Sequence, residues 1–257
     1  VVLALVAGAD GRRALLLGVA MVALQVSIGS LNDLVDIERD RDRKPGKPIP
    51  AALVGRDVAW AVALAGLVVG LTLSAIAGPF AALVAIAGAA TGYLYDFRLK
   101  ATPWAWLPFA VGLPLLPVYA WVGAAAVIPV AFFVLVPLGV VAGAAVALLN
   151  GLVDLERDRA SGARTPAVEL GAVAARRLAA ILLATVAAGV VASLAVIGAR
   201  PEAWAIALGG MGLTGVGLVL VGAAAAPRRE RGWEACAVGI GLLATAWSLG
   251  LAWRGLL

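Results

Sequence analysis

The sequence predicts an all-α, polytopic membrane protein, and three observations carry that expectation. Of 257 residues, 63% are hydrophobic and only 14% charged, against roughly 45–50% and about 25% in a soluble domain. The apolar residues gather into runs near the length of about 20 residues that crosses a bilayer. Those runs lack the apolar–polar alternation of a membrane barrel, so helices are the remaining way to pair the backbone in lipid.

Taken in order, the chain opens with an apolar stub, Val1–Gly8, too short to span and read as the end of a truncated first helix. Eight full spans follow, at Arg13–Leu31, Val58–Ala77, Pro79–Tyr95, Pro103–Trp121, Val127–Leu149, Arg177–Ile197, Trp204–Ala224 and Glu234–Trp253. The 31 glycines suit close helix–helix packing in lipid. Strict alternation of the spans puts 16 of the 20 basic residues on one side, leaving Arg12, Arg13, Arg200 and Arg254 on the other. The positive-inside rule makes the charged side cytoplasmic. Trp60, Trp104, Trp121, Trp204, Trp233 and Trp253 lie near span ends, where interface anchors belong. A single transmembrane domain over residues 1–257 accounts for the whole chain.

Composition also narrows the chemistry. The net charge of +5 is that of basic loops at an anionic membrane surface; no basic groove with interleaved aromatics suggests nucleic acid. The sole cysteine, Cys236, sits in an apolar run, so no disulfide framework exists, and it is expected to pack as a small apolar side chain. The chain has no histidine, which removes histidine triads and nearly every zinc or iron site. A bound metal therefore takes oxygen ligands, as Mg²⁺, Mn²⁺ or Ca²⁺ do.

Two loops on the basic side are near copies. Asn32-Asp33-Leu34-Val35-Asp36-Ile37-Glu38-Arg39-Asp40-Arg41 recurs 118 residues later as Asn150-Gly151-Leu152-Val153-Asp154-Leu155-Glu156-Arg157-Asp158-Arg159, with eight of ten positions identical. Internal duplication is the simplest cause. Asn32, Asp36 and Asp40 are four apart, as are Asn150, Asp154 and Asp158, so each trio is expected on one face of a continuous helix end. Clustered carboxylates near lipid repel and are costly to bury. A cation removes that cost, and Mg²⁺ combines carboxylates with substrate phosphate oxygens. Arg41, Arg43, Lys44 and Lys47 after the first cluster, and Arg159 and Arg164 after the second, are placed to complete an anion site. Glu38, Arg39, Glu156 and Arg157 fall off the Asp face and read as solvated. A third group, Tyr93, Tyr95, Asp96, Arg98 and Lys100, meets the same membrane side and is able to contact a diphosphate or shield a cation.

These motifs resemble those of the UbiA superfamily of intramembrane prenyltransferases, over essentially the whole chain. The family's Asn-Asp-x-x-Asp-x-x-x-Asp loop with a Pro-rich sequel is matched by Asn32-Asp33, Asp36 and Asp40, then Lys44-Pro45-Gly46-Lys47-Pro48. Its second motif is matched by Asp154, Asp158, Gly162-Ala163-Arg164-Thr165 and Glu169-Leu170-Gly171, and its Tyr-Ser…Leu-Lys element by Tyr95-Asp96 and Leu99-Lys100. The resemblance implies a nine-helix bundle around a central cavity. It implies Mg²⁺ held by Asp36, Asp40, Asp154 and Asp158 with Asn32, and an isoprenoid diphosphate bound by Asn32, Asp33, Arg43, Lys47, Tyr95, Lys100, Asn150 and Arg164. It further implies ionisation of the allylic C–O bond and capture of the cation by a lipophilic or aromatic acceptor in a bacterial or archaeal cell membrane. Three positions depart from the pattern: Asn150 stands where many relatives are acidic, Asp96 where serine is usual, and Lys47 where arginine is common. A terpene cyclase using the same clusters, and a transporter built from repeated halves, are the alternatives.

Overall fold

The computed structural model describes residues 1–37, 49, 51 and 53–255. A short helix α1 (Val2–Val6) precedes α2 (Gly11–Val35), α3 (Arg56–Ala77) and α4 (Pro79–Leu94). A π-helical turn, Tyr95–Leu99, extends α4. Then come α5 (Leu107–Ala125), α6 (Phe132–Val153), two short helices, α7 (Leu155–Ala160) and α8 (Pro166–Leu170), and finally α9 (Ala172–Val196), α10 (Pro201–Val221) and α11 (Ala226–Ala252). Among the described residues there is no strand, and eight helices are long and apolar enough to cross a membrane. Each overlaps one expected span.

The differences lie at the ends. The span expected from Pro103 starts at Leu107 as a helix, because Thr102 accepts from the Trp104 N–H and donates to the Leu99 carbonyl, holding residues 101–106 as turns. The helices α9 and α11 begin upstream of the expected Arg177 and Glu234, so their first two turns carry Arg176 and Arg228, Arg229 and Arg231. Hydropathy marks only the lipid-crossing part of a helix, whose hydrogen bonds continue past it.

By internal contacts the chain forms two compact units. One comprises residues 3–98 and 117–127, the other 99–116 and 128–257. In the first, α2 packs on α3 through small residues. Ala59, Ala63, Gly66, Gly70, Ser74 and Ala77 form the buried stripe of α3. A Cβ on Gly66 would lie 2.7 Å from the Ala23 carbonyl oxygen, so only glycine permits that approach. Polar groups fasten the helices. Arg13 donates 2.6 Å bonds to the Gly123 and Ala77 carbonyls, satisfying helix C-termini. Ser74 Oγ pairs with Tyr119 Oη at 2.8 Å, and Ser27 Oγ with Tyr93 Oη at 2.7 Å. Trp121, expected at the interface, is 1% exposed.

In the second unit α10 and α11 pack along Gly210, Thr214 and Gly217 against Gly232, Cys236 and Gly239. Cys236 is fully buried there, with Sγ 3.5 Å from the Thr214 carbonyl, as its apolar setting suggested. In both units large apolar side chains such as Leu15, Val22, Ile86, Ile181 and Val219 are exposed. In water they would form an aggregating surface; in lipid they are the solvated face.

Candidate active site at the two acidic helix ends

Among the described residues, both copies end a helix at the same position of the motif. Helix α2 ends at Asp36 (φ −91°, ψ 3°), whose N–H donates to the Asn32 carbonyl at 3.0 Å. Helix α6 ends at Asp154 (φ −99°, ψ 11°). The expected continuous helix is therefore interrupted at the middle carboxylate of each motif. Spacing is nevertheless kept in the second copy: α7 begins at once, and the Asp158 N–H donates to the Asp154 carbonyl at 2.8 Å. The four-residue step thus survives a break that spacing alone did not reveal. Asp40, Arg43 and Lys47 lie outside the described residues, as do Glu38, Arg39, Arg41 and Lys44.

At the first helix end Asp36 is only 8% exposed, and Asn32 and Asp33 are half-buried. The Asn32 amide Nδ2 donates to Asp96 Oδ1 at 2.7 Å. Asp96 is 5% exposed and sits in the π-helical turn. Tyr95 and Lys100 are half-buried beside it in sequence. The Tyr93 hydroxyl pairs with Ser27 of α2 at 2.7 Å. Tyr93 and Asp96 together fasten the end of α4 to the last turns of α2.

The second helix end is built differently. Arg157 Nη1 lies 2.6 Å from Asp154 Oδ1, off the direction of a hydrogen bond, so charge attraction holds the pair. Asp158 is fixed by the following loop: its carbonyl accepts from Ala163 N and Ser161 Oγ, and its carboxylate accepts a long 3.4 Å bond from the buried Thr165. Arg164, expected on the substrate, donates to Glu169 at 2.7 Å and is largely exposed. The Glu169 carboxylate raises the Arg164 guanidinium above its ordinary value, keeping it charged. Asn150 is half-buried and, among the described residues, has no side-chain hydrogen bond.

One residue escaped sequence reasoning. Arg229, near the start of α11, is 8% exposed. It donates to Glu156, to the Val153 carbonyl at 3.4 Å and to the Ala224 carbonyl at 3.0 Å. It binds the last turn of α6 and the first of α7, where the partial negative charge of a helix C-terminus favours a cation. Glu156 and Arg157, read as solvated, are thus both engaged. Arg229 lies in the run Arg228-Arg229-Glu230-Arg231, and only helical phase separates it from its neighbours.

The donor set is all oxygen, carboxylate and amide, which suits a hard divalent cation. Among the described residues no three acidic, histidine or cysteine side chains converge as a metal site.

The model of the UbiA prenyltransferase family matches residues 1–243. The chain is 31% identical over 211 residues to the digeranylgeranylglyceryl phosphate synthase of Methanoregula boonei, covering 79% of this chain and 70% of that one. It is 30% identical over 154 residues to the chloroplastic chlorophyll synthase of Oryza sativa subsp. japonica, covering 55% and 41%. Its fold matches a UbiA homologue from Aeropyrum pernix with a TM-score of 0.74 at 19% identity, over 95% and 92% of the two chains. It also matches a UbiA homologue from Archaeoglobus fulgidus bound to GPP and Mg²⁺, with a TM-score of 0.68 at 19% identity, over 96% and 94%. The helices long and apolar enough to cross a membrane, together with the family match, are those of an integral-membrane prenyltransferase. The chain belongs to the UbiA prenyltransferase family.

Proposed function

We propose that this protein transfers a prenyl group from an isoprenoid diphosphate to a lipophilic acceptor within the membrane, in a Mg²⁺-dependent reaction. The observation that carries the reading is the duplicated acidic helix end, Asn32/Asp36 and Asn150/Asp154, with a helix ending at the middle carboxylate of each. Homologous structures bound to GPP and to DMAPP with Mg²⁺ support the donor class and the metal.

The residues that would hold Mg²⁺ are Asp36, Asp40, Asp154 and Asp158, with Asn32. Bound there, Mg²⁺ supplies Lewis-acid stabilisation of the departing diphosphate. The rest falls to the protein. Asn32, Asp33, Asn150, Tyr95 and Lys100 orient the diphosphate, with Arg43 and Lys47 adding positive charge. Arg164 serves the same end by turning from Glu169 to the substrate. The allylic C–O bond breaks and its electron pair leaves with the diphosphate. The acceptor's nucleophilic atom then bonds to the allylic carbon and gives up its proton. Apolar walls exclude water, which would otherwise capture the cation. A cytoplasmic position for the acidic helix ends follows from the 16-to-4 partition of basic residues.

The test is pyrophosphate release by the detergent-purified protein from geranyl, farnesyl and geranylgeranyl diphosphate. Acceptors are supplied as a panel headed by a glycerol phosphate ether, the class that the names of archaeal relatives suggest. Release that requires Mg²⁺ and disappears in both Asp36→Asn and Asp154→Asn establishes the site, and the prenylated product names the acceptor. Hydrocarbon formed without any acceptor would instead identify a cyclase. Release untouched by both substitutions would overturn the reading.

A further inference from the structure

Asn32 is the one amide of the first acidic motif, and its orientation decides its chemistry. One end of the group donates hydrogen bonds and the other accepts cations or donors. An asparagine in isolation presents either end. Here Nδ2 lies 2.7 Å from Oδ1 of Asp96, a residue 64 positions away and only 5% exposed. The bond runs from the amide nitrogen to the carboxyl oxygen, so the nitrogen is held toward Asp96. The carbonyl oxygen is then turned to the opposite side of the amide. The contact is rigidly supported: Tyr93, three residues before Asp96, bonds Ser27, five residues before Asn32. The π-helical turn widens the helix at Tyr95–Leu99 and so shifts the phase at which Asp96 leaves it.

We propose that Asp96 is a positioning residue that acts through Asn32, locking the amide so that Oδ1 is presented as an oxygen donor to the divalent cation. The inference rests on the reading of the first acidic helix end as part of a cation–diphosphate site. The arrangement is the amide counterpart of a carboxylate that orients a metal-binding histidine through its other nitrogen.

The experiment measures Mn²⁺ binding to the full chain in detergent by the loss of the free-ion electron paramagnetic resonance signal, with and without inorganic pyrophosphate. Asp96→Ala and Asn32→Ala should each weaken Mn²⁺ binding about 10-fold, at the lower end of what loss of such a supporting contact costs. The double substitution should bind no more weakly than Asn32→Ala alone, because the two act through one group. Asp96→Asn, whose amide oxygen still accepts from Asn32, should restore binding to within about 3-fold of the parent. Thermal unfolding and gel filtration establish that each variant is folded. If Asp96→Ala does not fold, Asp96→Leu, which fills more of the buried space but has no acceptor, takes its place with the same expected loss. Unchanged Mn²⁺ binding in Asp96→Ala, or losses that multiply in the double variant, would overturn the proposal. Its failure is separable from failure of the wider reading: in the first case Asp36→Asn still abolishes Mn²⁺ binding and pyrophosphate release, and in the second it leaves both intact.

Discussion

The two acidic helix ends share eight of ten residues and both stop a helix at the middle carboxylate, yet different neighbours hold them. At the first, an acid supports the motif: buried Asp96 takes the amide of Asn32. At the second, bases do so: Arg229 ties Glu156 and the Val153 carbonyl, while Arg157 lies against Asp154. Asp36 is almost fully buried, whereas the Asp154 side chain is 31% exposed. A duplicated sequence thus supplies two like sets of donors. The described neighbours differ in kind: an acid holds the amide at the first, and arginines hold the second.

The sharpest way to break this comparison is to remove one carboxylate from each end. Asp36→Asn should lower turnover by on the order of 10³-fold, a loss of several kcal/mol of charge stabilisation. Asp154→Asn should lower it by about 10²-fold, since Arg157 already offsets part of that charge. Mg²⁺ titrations of pyrophosphate release check both. Equal losses with equal Mg²⁺ half-saturation would show the two ends to be interchangeable.

A smaller effect is expected at Arg229. Arg229→Ala leaves Glu156 and a helix-end carbonyl without their donor, and should lower the stability of the folded protein by about 1–3 kcal/mol. Thermal unfolding in detergent measures it, with Arg229→Lys intermediate because an ammonium lacks the planar fork. Glu156→Gln, at a mostly exposed partner, should cost about 0–1 kcal/mol. A larger loss in the glutamine variant than in the alanine variant would contradict the assignment of Arg229 as the anchor.

The smallest effect is the most diagnostic. Arg157→Ala removes the charge lying against Asp154 and should lower the Mg²⁺ concentration for half-maximal activity by about 2- to 3-fold, the scale of a partly exposed ion pair. A rise instead would mean that Arg157 serves the diphosphate rather than competing with the metal.

Much of this architecture was legible in the chain. Eight apolar runs foretold eight helices because lipid admits little else, and the repeat at Asn32 and Asn150 marked both helix ends. Spacing did not disclose the breaks at Asp36 and Asp154, since a step of four residues looks the same in a continuous helix and in one that turns and restarts. Trp121 was misjudged for a related reason: nearness to a span end says nothing about which face of the helix is packed.

The sequence by itself determined the membrane-embedded helices, the oxygen-only donors and the duplicated motif, because composition, absence of histidine and local periodicity are properties of the chain. Only the tertiary structure decided which end of the Asn32 amide faces the motif's partners and which arginine of four neighbouring charges secures the second helix end. Those contacts join residues 64 and 73 positions apart, across packed helices. Their geometry depends on helix phase, including the widened turn at Tyr95–Leu99, and phase is fixed by packing between helices rather than by any local pattern.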